Sequence, residues 1–193
     1  MAPVATMPVT GEPDADQLLA SDPLALLIGM LLDQQVPMEW AFKAPYVLRD
    51  RLGGLDAAAI AAMPEADVEA VFRAKPALHR YPGSMGKRAH SLCTHIVDEY
   101  DGDPAAIWKS ADSASDLLRR LRALPGFGDE KSRIFLAVLG KRFGAAPDGW
   151  REVAAPFGDE TPRSVADIDS PEALQQVRQW KQAQKAKRKS KAD

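Results

Sequence analysis

The sequence predicts an all-α protein, and three observations carry that prediction. Apolar residues recur at helical spacing, as in Leu117, Leu118, Leu121 and Leu124 and again in Ile134, Phe135, Val138 and Leu139. Helix-start pairs recur too, with Asp22-Pro23 and Ser170-Pro171 each placing a capping side chain before a proline at the first helical position. No segment alternates apolar and polar residues over a strand's length, and no Gly-rich nucleotide fingerprint or internal repeat is present.

Taken in order, Leu24–Leu32 follows the first start signal and is apolar nearly all round, the pattern of a buried central helix. It ends in Asp33-Gln34-Gln35-Val36-Pro37. Three polar side chains at the end of so apolar a helix read either as an exposed terminus or as groups presented to a ligand. Residues 38–52 form a second helix stopped by Gly53-Gly54. Short helices over 55–63 and 65–74 are separated by Pro64, with Asp56 as a start signal. Residues 75–86 read as loop, and 84–100 as a longer helix with Cys93 on its inner face. Asp101-Gly102-Asp103-Pro104 ends it, and Ser113 or Ser115 caps the next helix. After residue 150 a Gly/Pro-punctuated region leads to a last helix whose Lys-rich end is expected to fray. The expected organisation is an N-terminal arm (1–20), a helical domain (21–150) and an extension with a basic helical tail (151–193).

Composition narrows the function classes. At 193 residues, 46% hydrophobic and 27% charged, the chain has the make-up of a soluble globular protein. A single cysteine excludes an internal disulfide and any Cys-rich metal or iron–sulfur site, and it fits a reducing compartment. With no membrane-length apolar run and no signal-peptide pattern, the reading is a cytoplasmic protein without a membrane partner (nucleoid-associated if bacterial). The net charge of −2 is unevenly spread. Residues 119–142 hold seven basic and two acidic side chains, and residues 178–193 hold seven basic and one acidic. Positive charge gathered on two segments of a mildly acidic chain suits a polyanionic partner.

The first basic segment contains the most informative stretch, Leu124-Pro125-Gly126-Phe127-Gly128, between two amphipathic helices. Two glycines around an aromatic permit positive φ and close approach of a ligand to the backbone. The turn leaves free N–H groups at the start of the following helix, where the dipole favours an anion such as a DNA phosphate. Lys131 and Arg133 lie in that helix's first turns.

This hairpin, preceded by Leu27–Gln35 and by a helix opening at Gly86-Lys87-Arg88-Ala89, resembles the helix-hairpin-helix (HhH-GPD) base-excision DNA glycosylases, the group that includes endonuclease III. The resemblance implies two helical lobes around a DNA-binding cleft, double-stranded DNA as partner, a monomer, and a damaged base flipped out of the stack. It assigns Gln35, with Gln34, to the wedge that fills the gap in the base stack. It gives the N–H groups around Gly126 and Gly128 to a phosphate clamp, with Lys131 and Arg133 beside it. The carbonyls of Leu124, Gly126 and Gly128 would hold a monovalent cation, K+ or Na+. Asp148 falls at the spacing of the family's catalytic aspartate, although Pro147-Asp148-Gly149 is also an ordinary turn. Asp33 and Glu152 are reserve carboxylates.

The chain departs from the family pattern in two places. The position of the lyase lysine is Glu130, and Lys131 is one residue further, about 100° around the helix. No four-cysteine cluster follows, so no iron–sulfur cofactor is expected. The expected activity is therefore a monofunctional DNA glycosylase, with a non-catalytic DNA-binding relative and an unrelated helical interaction protein as alternatives. Among the aromatics, Trp40, Tyr46 and Trp108 are expected in the core. Trp150, next to Asp148 in a Gly-rich loop, is the candidate for the base pocket.

Overall fold

The computed structural model describes residues 5–192. The first four residues of the expected arm and Asp193 lie outside that range. All regular structure among the described residues is helical: α1 (Pro13–Ser21), α2 (Pro23–Leu32), α3 (Met38–Leu52), α4 (Ala57–Ala62), α5 (Glu65–Arg73), α6 (Pro82–Tyr100), α7 (Ala106–Lys109), α8 (Ala114–Arg122), α9 (Asp129–Phe143), α10 (Trp150–Val153), a 3-10 turn (Val165–Asp167) and α11 (Pro171–Ser190).

The helices fall into two groups around one continuous core. α1, α2 and α3 pack together, and α4 and α5 pack on α6. In the second group α8, α9 and α10 pack on one another, and the 3-10 turn lies between α9 and α11. α2 is the common post. Nine of its ten residues are buried, every one except Pro23. Each fully buried leucine contributes about 1.5–3 kcal/mol relative to exposure. Its start is capped as its sequence indicates: Asp22 Oδ1 accepts from the N–H groups of Leu24 (2.9 Å) and Ala25 (3.2 Å). Asp56, Ser113 and Ser170 cap α4, α8 and α11 in the same way. α3 stops at Gly53, whose φ of +74° suits only a residue without a side-chain penalty.

Both ends of the chain differ from expectation. The segment expected as an arm carries Met7 and Val9 into the core at 1% and 0% exposure, and α1 packs on α2 and α3. Short-range polarity hid these few apolar side chains. The last helix stays helical to Ser190, through the Lys-rich end expected to fray; its first half is anchored by the buried Ala173, Leu174 and Val177 and by Arg178, which pairs with Glu39 of α3. Cys93 is buried in α6, and desolvation pushes its thiol up to about 12, so it is an inert core residue.

Candidate DNA interface

The hairpin between α8 and α9 is a tight turn. Phe127 N–H donates to Leu124 O at 3.1 Å, and Ser132 N–H donates to Gly128 O at 3.0 Å. Phe127 is buried and meets Phe135 edge-on. The two glycines are not alike. Gly126 has φ +81°, and a Cβ there would lie 2.4 Å from Leu31 Cδ1, so a side chain is barred twice over. Gly128 has φ −80° and open space where a Cβ would sit, which corrects the expectation of positive φ at that residue. Gly128 is the N-cap of α9 and has no side-chain cap, so the first-turn N–H groups have no side-chain acceptor from that position.

The two basic residues in the first turns of α9 are both engaged within the protein. Arg133 is held by Asp129 at 2.9 Å and by the carbonyl of Val153 at 2.6 Å. Lys131 turns inward, and its Nζ donates to Leu31 O at 2.8 Å and to Gln34 Oε1 at 3.3 Å. The 100° rotation relative to residue 130 sends the lysine to α2. Burial lowers the Lys131 amine from 10.5 to about 8, with Asp33 opposing the shift and Arg88 adding to it. Arg122 also pairs with Asp129, so the hairpin offers an anion mainly backbone N–H groups.

Lys131 therefore ties the hairpin to the turn that ends α2. In that turn Gln35 is exposed and adopts φ +59°, the left-handed region that a residue with a side chain enters at a cost. His79 holds the turn from the other side. It is 1% exposed, and its Nε2 lies 3.1 Å from both Leu32 O and Gln34 O. Its Nδ1 accepts from the Tyr81 N–H at 3.0 Å, which leaves the ring proton on Nε2 for the two carbonyls. Desolvation lowers the His79 pKa below its ordinary value. No local sequence signal marked His79, because its partners lie 45 and 47 residues earlier in the chain.

Asp33 caps the end of α2 between these contacts. It is half-buried, and desolvation pushes its carboxyl above the ordinary range, while Lys181 and Lys131 pull it back. Lys181 belongs to α11, which Arg178 ties to Glu39 of α3. Asp148 is placed otherwise. It is exposed, beyond the C-terminal end of α9, while the hairpin is at that helix's N-terminal end. A helix of fifteen residues separates the two ends by about 22 Å. Trp150 is half-buried and packs flat on α9: a Cβ at Gly140 would lie 2.3 Å from its Cε2. Arg151 covers the ring at 4.7 Å. Glu152 is exposed in α10. The structure thus brings Lys131 onto the turn that holds Asp33, Gln34 and Gln35, while Asp148 is exposed and Trp150 packs on Gly140 of α9.

Residues 28–192 match the family model for HhH-GPD superfamily base excision DNA repair proteins. The chain belongs to this family. No curated protein and no solved structure matches it. The HhH-GPD match extends through α11, so the C-terminal segment expected as an extension lies within the family region. As a base excision repair protein of this family, the chain has DNA as its partner.

Proposed function

We propose that this HhH-GPD protein is a monofunctional DNA N-glycosylase acting on a damaged base flipped from double-stranded DNA, working as a monomer. The observation that carries this reading is the Lys131 bridge, which sets an anion-seeking hairpin beside the Gln34–Gln35 turn and the Asp33 carboxyl. The hairpin N–H groups would take a backbone phosphate, and Gln35 would fill the gap left by the flipped nucleotide. The carbonyls of Leu124, Gly126 and Gly128 offer the hard oxygen donors a monovalent cation takes. Those of Leu124 and Gly128 already accept one N–H each, so any such ion would share their second lone pairs.

In the reaction water attacks C1′ of the sugar, the C1′–N bond breaks, and the base leaves with the bonding electrons. A carboxylate stabilises the positive charge on the sugar and takes the proton from water. Spacing favours Asp148 for this role, whereas position favours Asp33, half-buried beside the wedge turn, and we assign it to Asp33. Trp150 would line a base pocket only by leaving Gly140. The exposure of Asp148 favours the second reading, a non-catalytic HhH DNA-binding protein.

Incubating the protein with duplexes carrying alkylated, deaminated or oxidised bases, scored for free base, tests the proposal. Release from at least one lesion supports it, and salt-sensitive binding without release from any lesion supports the second reading. Borohydride should trap no covalent adduct. A trapped adduct through Lys131 would overturn the monofunctional assignment.

A further inference from the structure

Large apolar side chains are exposed at two places among the described residues, Trp40 at 39% and Tyr81 at 43%. They come from different elements, α3 and the start of α6, yet both flank His79. The Trp40 and His79 ring centroids are 6.4 Å apart, and those of His79 and Tyr81 are 6.1 Å apart. His79 is the residue that grips Leu32 O and Gln34 O. The exposed rings therefore sit beside the Gln34–Gln35 turn, on a common support.

The Trp40 ring is tethered, and the Tyr81 backbone is fixed beside it. Trp40 Nε1 donates to Ala77 O at 3.3 Å, and the Tyr81 N–H is fixed on His79 Nδ1. Arg80, also exposed, lies over the Tyr81 ring at 5.4 Å from its centroid. Two exposed aromatic rings, with a guanidinium over one face of Tyr81, suit a nucleobase with its phosphate, because stacking uses the π-face that every base has and the cation can meet the backbone.

We propose that Trp40 and Tyr81 form a stacking platform for an unpaired nucleobase next to the wedge turn. The inference rests on the DNA-binding reading above and extends the interface beyond the hairpin. It gives the two rings a preference for opened over intact duplex, without base sequence preference.

The test uses the full chain with two DNAs of the same sequence, an intact duplex and one with two unpaired nucleotides, titrated at one salt concentration. Wild type should prefer the opened duplex. Tyr81→Leu and Trp40→Leu should each weaken that complex by about tenfold and leave intact-duplex affinity unchanged. Tyr81→Phe should restore it, since the ring and not the hydroxyl does the stacking. Circular dichroism checks the fold, and both rings lie outside the core. Equal losses on both DNAs, or none, would overturn the platform while leaving the hairpin contact standing. Failure of wild type to bind either DNA would overturn the DNA reading and the platform with it. A wild type that binds both equally would also remove it.

Discussion

Lys131 reaches across the chain to donate to the carbonyl oxygen of Leu31, one hundred residues earlier, at 2.8 Å. That bond satisfies a carbonyl at the C-terminal end of α2, where a positive charge is also favoured by the helix dipole. Its cost is the burial of an amine. Between about 8 and 10.5 the unfolded chain holds a proton on this lysine that the folded chain has shed. Stability should therefore rise with pH from about 8 to about 9. Above the ordinary thiol value of 9.0 Cys93 opposes the trend, because the unfolded chain ionises first. Urea unfolding of Lys131→Met across the lower window should show the rise reduced. A rise equal to that of wild type would mean that Lys131 is not the group responsible.

The two hairpin glycines should respond differently to alanine. Gly126→Ala meets Leu31 and a left-handed backbone, and should cost about 1–3 kcal/mol of folding stability. Gly128→Ala has room for its Cβ and an ordinary φ, so it should fold as wild type. Its methyl would stand where a phosphate must approach, and DNA affinity should fall by about tenfold, or about 1.4 kcal/mol. Unchanged affinity in the folded variant would show that DNA is held elsewhere.

His79 should make the turn acid-sensitive. Its folded pKa lies below the unfolded value of 6.5, so its stabilising effect is complete above 6.5 and is lost as pH falls through the folded value. Protonation puts a hydrogen on Nδ1 and ejects the Tyr81 N–H. Thermal unfolding from about pH 7 to about pH 5 should show a smaller acid loss in His79→Asn than in wild type. Parallel curves would move the acid sensitivity to the carboxylates.

Much of this was legible in the sequence where the signal was local. Asp22-Pro23, Asp56 and Ser170 start their helices because capping needs only neighbouring atoms. LPGFG makes its turn for the same reason. The rest depended on which distant surface covers a residue. The sequence puts Lys131 a third of a turn from the family's lysine, but nothing local says that this face of α9 meets α2. Trp40 and Trp150 exchanged roles, with Trp40 exposed and Trp150 laid on Gly140, because a bare helix glycine on α9 gives an indole a flat seat. Met7 and Val9 carried too little periodicity to reveal that they are buried.

The carboxylates separate by substitution. Asp33→Asn should reduce base release by about a hundredfold while binding holds, because one negative charge near the backbone is gone. Asp148→Asn should release base at the wild-type rate. The reverse result would return the chemistry to Asp148 despite its exposure.

The tail should add affinity without selectivity. Lys185, Lys187, Arg188 and Lys189 are exposed on α11 beyond its buried first half, and Lys191, also exposed, follows its last residue. Each phosphate neutralised adds about −0.9 to the log–log salt slope. Removing residues 185–193 should weaken binding to every DNA alike and flatten that slope. An undiminished slope would take the tail out of the interface.

The burial of α2 has a mechanical consequence. A helix enclosed on every side, pinned at its end by Lys131 and His79, gives the wedge turn almost no freedom to adapt. Whatever bending and unstacking accompany engagement must then be borne by the nucleic acid. A stiff probe of this kind discriminates by the compliance of what it presses against, so sites already loosened by a mispair or a lesion would yield to it first.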